Sequence, residues 1–186
     1  MSAPTPDPPT PDPPTSGPAT SEPATPEPTH PAFAAALPVL MGTALDEAAL
    51  AAADGDVPVG AVVARLSDGD VVARAHNERE RTADPTAHAE VLALRRAAEA
   101  IGSWRLGDCG LVVTLEPCAM CAGAAVSARI GLVAFGASDP KAGALGSLYH
   151  LGVDPRLNHE FPVVPGVRAD ECAEVLEAFF RARRAP

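Results

Sequence analysis

A three-layer α/β/α sandwich with a mixed central sheet is the fold that residues 32–186 predict. Three observations carry this reading. Short Val-rich runs alternate with Ala-rich helical stretches, the pattern of strands interleaved with crossover helices. The first two runs are joined by a tight polar turn and pair as a hairpin, whereas the later ones are separated by helices. The Ala content suits helices that lie close on a sheet.

The elements follow in chain order. "VLMGTALDEAALAAA", Val39 to Ala53, has the pattern of a helix that ends at Asp54-Gly55. "VPVGAVVARL" is a buried strand, "SDGD" a turn and "VVARAHN" the returning strand. "NERERTADPT" is a polar loop. Pro85 favours an extended backbone there, and Thr86 caps a helix running from about Ala87 to Ala100. "GLVVTL" is a short strand. "EPCAMCAGAAVSARI" is a helix with Pro117 near its first turn, where a missing N–H costs nothing. "GLVAFGA" is a further strand, and "SDPKAGALGSLYHLGVDPRLNHE" is rich in loops. "FPVVPGV" is a strand that Pro162 and Pro165 confine to an edge. Ala169 to Arg184 closes the chain as a helix with Cys172, Val175, Leu176, Phe179 and Phe180 on its apolar side.

Residues 1–31 differ in kind. "PTPDPPTPDPPT" opens a segment of Pro, Thr, Ser and Ala that cannot bury enough apolar surface to offset its ordering entropy. It is expected to be a disordered, partly polyproline-type tail, and it lacks the basic start and apolar centre of a signal peptide. No apolar run is expected to be long enough to span a membrane, and the expected location is cytoplasmic. The formal charge is −10, of which the tail carries Asp7, Asp12, Glu22 and Glu27, leaving 20 acidic against 14 basic residues. That balance argues against a general nucleic-acid binder, whose footprint is basic, but it leaves room for a local patch. Arg181, Arg183 and Arg184 cluster at the end, either complementing a helix C-terminus or contacting phosphate.

The chemistry is concentrated in two short motifs. Of the four cysteines, Cys118 and Cys121 sit three apart, on one face of a helix start. Side chains tilt toward a helix N-terminus, whose positive end favours thiolate. Alone, such a pair is a metal half-site, a redox pair or two inert buried thiols. His88, at the start of another helix, is the natural third donor. Two Cys and one His leave a fourth position on zinc for water, the arrangement of a catalytic site, and zinc lowers the pKa of that water. Glu90, two residues on, is a candidate proton shuttle, since partial desolvation raises a carboxyl pKa. On a helix side His88 and Glu90 would point apart, so the site is expected where two helix N-termini converge, with the Glu90 carboxylate close to the metal but not bound to it. H-x-E followed by P-C-x-x-C is the zinc-deaminase pattern.

From about Val57 to Arg184 the chain resembles the bacterial tRNA-specific adenosine deaminases of the cytidine deaminase superfamily. "VPVGAV", "DPTAHAEVLALR", "VTLEPCAMCAGA", "ARIGLVAFGASDPKAG", "GSLYHLG", "LNHE" and "DECAEVLEAFFRARR" occur in the family's order. The resemblance implies a cytidine deaminase-like sandwich and hydrolysis of the wobble adenosine to inosine in a tRNA anticodon stem-loop. It implies one Zn2+ per subunit on His88, Cys118 and Cys121, Glu90 as proton shuttle, and Asn77, Asp139 and Asn158 in substrate binding. It further implies a homodimer with the RNA site built by both subunits. His76 stands where the family usually has Trp. Two other readings compete: a zinc deaminase of a free base or nucleoside such as guanine or cytosine, and a zinc-stabilised binding protein without turnover, which would not need Glu90.

Overall fold

The computed structural model describes residues 30–184. Its strands are β1 (Gly60–Arg65), β2 (Val71–His76), β3 (Cys109–Leu115), β4 (Leu132–Ala137) and β5 (Val163–Val164). Its helices are α1 (Pro31–Ala53), α2 (Arg79–Thr82), α3 (Ala89–Ile101), α4 (Ala119–Ser127) and α5 (Ala169–Arg184), with a 3-10 turn at Leu151–Val153. The sheet order is β2-β1-β3-β4-β5. β1 is antiparallel to both β2 and β3, whereas β3, β4 and β5 run parallel. The sheet is therefore mixed, as expected, and β5 is an edge.

Alternation along β1 divides the core between the two faces. Ala61 and Val63 join Leu111, Val113, Val133 and Phe135 beneath α3 and α4. Val62 and Ala64 join Val112, Leu132 and Ala134 beneath α1 and α5. Small residues set the close approach. A Cβ at Gly60 would overlap the Ala44 carbonyl oxygen, so only glycine lets α1 lie this near the sheet.

The structure corrects several element expectations. α1 begins at Pro31, eight residues before the expected start at Val39. Pro38 lies inside it, and an internal proline removes a helical hydrogen bond. Here the proline sits on the exposed side, while Phe33, Leu37, Leu40 and Met41 on the inner side are buried against the sheet and hold the helix together. The longer helix also revises the membrane expectation. By length and composition alone α1 could cross a bilayer, but its inner face packs on β1, β2 and β3. Of the expected 1–31 tail, residues 1–29 lie outside the described residues. His30 occupies the N-cap position of α1 without a side-chain capping bond, and Pro31 is its first residue, where the fixed φ of proline suits a helix start.

The "NERERTADPT" loop contains the short helix α2. Thr86 is not a helix cap: its backbone N–H and its hydroxyl both donate to the Asp84 carboxylate, and His88 is the N-cap of α3. Pro117 likewise precedes α4, whose N-cap is Cys118. On α5 Cys172 is buried, but Phe180 is exposed and stacks edge-on to Phe179. Arg183 lies over the Phe179 ring at 4.5 Å and donates to the Gly55 carbonyl.

Candidate active site

Two helix N-termini meet at one point. His88 and Cys118, the N-caps of α3 and α4, both have extended backbone that turns their side chains off the helix ends. His88 Nδ1 lies 3.8 Å from Cys118 Sγ and 3.5 Å from Cys121 Sγ, and the two sulfurs are 3.7 Å apart. Tetrahedral zinc with bonds of about 2.3 Å to sulfur and about 2.05 Å to nitrogen needs roughly 3.8 Å between sulfurs and roughly 3.6 Å from nitrogen to sulfur. The donor triangle fits that ion.

The electrostatics agree. Hydrogen bonds to Cys121 and His88 pull the Cys118 pKa down to about 3, the direction that favours the metal-binding thiolate. The hydrogen bond to Cys118, and burial, push the Cys121 thiol far up. Two bare thiolates this close repel, and a divalent cation is what allows both to ionise. His88 is shifted up, chiefly by its hydrogen bond to Cys118.

Glu90 is buried in the first turn of α3 and lines the same cavity as His88 and Cys118. It is not one of the three converging donors. Burial raises its carboxyl pKa above the ordinary range, the direction a group that must both take and give a proton near neutrality requires. The cavity, of about 150 Å³, is also lined by Asn77, Arg79, Glu116 and Asp139. Asn77 and Asp139 are thus brought to the donors. Asn158 is not: it is exposed, and Arg129 Nη1 donates to its side-chain oxygen at 2.6 Å. Of the two arginines of α2, Arg81 is tied to Glu78 at 2.6 Å and to Asp54 at 3.6 Å, while Arg79 reaches the cavity and pairs with its exposed neighbour Glu80 at 3.3 Å.

Residues 39–184 match the family described as MafB19-like deaminase. A tRNA-specific adenosine deaminase of Bacillus subtilis is 49% identical over 144 residues, spanning 77% of this chain and 88% of that protein. One from Haemophilus influenzae is 46% identical over 146 residues, spanning 78% and 83%. The chain belongs to the tRNA-specific adenosine deaminase family. A structure from work on A-to-I editing by tRNA:A34 deaminases at the wobble position of transfer RNA superposes with a TM-score of 0.71 at 43% identity, covering 74% of this chain and 99% of that one. The guanine deaminase of Nitrosomonas europaea is more distant, at 27% identity and a TM-score of 0.64, covering 76% and 83%. The mixed sheet with helices on both faces is the fold of these deaminases.

Within this family site, two buried carboxylates escaped the sequence reading. Glu116, next to the P-C-x-x-C motif, is 2% exposed. It accepts from the backbone N–H of Asp139 at 3.0 Å, Leu145 at 3.1 Å and Ser147 at 2.9 Å, and from the Ser147 hydroxyl. Burial pushes its pKa up, but these donors outweigh it and hold the carboxyl below the usual range. A Cβ at Gly143 would overlap this carboxylate, so the loop needs glycine there. Glu116 therefore pins the 139–147 loop, with Asp139, to the cavity wall. Glu116→Ala is expected to leave buried N–H groups unpaired and to cost about 2–4 kcal/mol, read as a lower urea midpoint of the zinc-loaded protein. An unchanged midpoint would show that the loop does not depend on it. Asp56 is the second carboxylate, fully buried just before β1. Both have donors far along the chain, 21 to 31 residues away, so no local pattern marks them.

Proposed function

We propose that this protein hydrolytically deaminates the wobble adenosine of a tRNA anticodon to inosine, releasing ammonia. The observation that carries the reading is the buried Glu90 carboxyl beside the His88, Cys118 and Cys121 triangle, in a chain at 49% and 46% identity to tRNA-specific adenosine deaminases. His88, Cys118 and Cys121 would hold one zinc per subunit. Bound there, zinc supplies the Lewis acidity that brings the attacking water toward neutral pKa. Glu90 takes one proton from the water that adds to C6 and delivers it to the purine ring. It then passes the second to the exocyclic amine, which leaves as ammonia, so one water is consumed for each ammonia released. Burial suits Glu90 to this cycle, because it raises the carboxyl pKa above the ordinary range and so makes the protonated form easier to reach.

Asn77 is assigned to the flipped nucleoside, and Asp139 and Asn158, the latter outside the cavity, to the anticodon loop around it. An adenosine in that loop is already unpaired, so bringing it into the cavity costs less than flipping it from a duplex. Arg79, which lines the cavity, is a cation placed to contact the RNA backbone. The protein is further read as a cytoplasmic homodimer whose subunits both contribute to the RNA site, with residues 32–186 as the deaminase domain.

The test offers purified protein an anticodon stem-loop with a wobble adenosine and, separately, free adenosine, cytosine and guanine. Inosine is expected in the stem-loop only. The likeness to guanine deaminase makes guanine the competing substrate, and turnover of guanine with an untouched stem-loop would overturn the reading.

A further inference from the structure

We propose that Asp56 is a positioning residue that fixes the side-chain amide of Asn77 with its carbonyl oxygen toward the cavity, so that the substrate must offer a hydrogen-bond donor there. The inference rests on the deaminase reading of the site and adds the polarity of one of its contacts.

Asp56 is fully buried within the α1–β1 connection. Its Oδ1 accepts from Asn77 Nδ2 at 2.7 Å and from the Val57 N–H at 3.1 Å. Its Oδ2 accepts from the N–H of Glu80 at 2.8 Å and of Arg81 at 3.3 Å, in the first turn of α2. Four donors surround one acceptor-only group. The opposite amide orientation would set the Asn77 carbonyl oxygen against a carboxylate in a water-poor setting, so hydrogen-bond chemistry decides which end of the amide faces Asp56. Backbone hydrogen bonds hold the main chain at Asn77 in place. Its N–H donates to the Val59 carbonyl at 2.9 Å, and the next N–H, of Glu78, donates to the Ala87 carbonyl at 3.0 Å.

The other end of the amide is open. Among the described residues no buried side-chain oxygen lacks a partner, and none donates to Asn77 Oδ1, so that atom is reached from the cavity that Asn77 lines. An acceptor at this point selects for an N–H or O–H on the bound nucleoside. A site built around such a bond discriminates strongly, because its loss leaves a buried group unpaired.

Asp56→Asn tests the polarity. The new side chain satisfies the N–H groups of Glu80 and Arg81 with its oxygen and turns its NH2 toward Asn77, leaving the Val57 N–H unpaired, as Asp56→Ala does also. Asn77 then inverts, and a donor meets the donor of the substrate. Asp56→Ala removes more contacts but imposes no inversion. A merely structural role predicts that Asp56→Ala is the worse enzyme. The positioning role predicts the reverse order in kcat/KM on the stem-loop, with Asp56→Asn about 100-fold below the parent and Asp56→Ala closer to it, although Asp56→Ala melts lower. In an Asn77→Ala background, Asp56→Asn should cost less than about 3-fold, because its effect passes through Asn77. Equal losses in both backgrounds, or Asp56→Ala below Asp56→Asn in kcat/KM, would overturn the proposal. Zinc content and melting temperature, measured on every variant, separate misfolding from misorientation. Failure of the functional reading is visible in the parent protein alone, as an untouched stem-loop; failure of this inference is visible only in the ratios among variants.

Discussion

Glu90→Gln protein is expected to keep its zinc and lose turnover on the stem-loop by about 10³- to 10⁴-fold, the scale of a removed general acid–base group. Gln has the shape of Glu90 but cannot carry the proton, and the metal donors are three other residues, with the Glu90 carboxyl outside their triangle. Single-turnover inosine formation and metal analysis of the same preparation provide the check. Activity within about ten-fold of the parent would remove Glu90 from the proton path. The pH dependence has a definite sign. Burial raises the folded-state pKa of Glu90, so its contribution to stability is present at acid pH and is lost as pH rises through the folded pKa. In metal-free protein, Glu90→Gln should therefore flatten the decline in melting temperature across that range; the same slope in both proteins would contradict the assignment.

Cys118→Ala carries the second large effect. It leaves His88 and Cys121 as a two-donor site, and zinc affinity should fall on the order of 10³-fold, a single ligand's share of the binding free energy of a zinc site. Turnover should fall below detection with it, since the Lewis acid that prepares water is gone. The folded state also loses the stabilisation that a ligand confers by binding only the native protein, so the melting temperature should become insensitive to added zinc. Stoichiometric zinc in Cys118→Ala would show that Cys118 is not a donor. Chelation of the parent protein should reproduce the loss of activity, and added zinc should restore it.

Much of this site is legible in the sequence. His88, Glu90, Cys118 and Cys121 stand out because each motif is short and their chemistry depends on residue type at fixed spacing. The convergence of two helix ends followed from the same spacing, since His88 and Glu90 cannot share a helix side but can share a helix terminus. The caps were less legible. Thr86 has a good capping side chain, yet Asp84 captures its hydroxyl, and the extended backbone at His88 starts α3 two residues later. α2 was hidden because a single turn has no periodicity to read, and its amides are capped by Asp56 from across the chain.

The sequence by itself determined the order of the strands and of every helix but α2, the antiparallel hairpin and the set of groups able to hold a metal and move a proton. Those properties reside in local pattern and residue chemistry. Only the tertiary structure decided where α1 begins, because burial of Phe33, Leu37, Leu40 and Met41 outweighs the helix-breaking tendency of Pro38. It alone placed Asn158 outside the cavity and made Asp56 and Glu116 organisers of its walls. A carboxylate in a polar stretch reads as solvent-facing until the fold surrounds it with N–H donors contributed from distant parts of the chain.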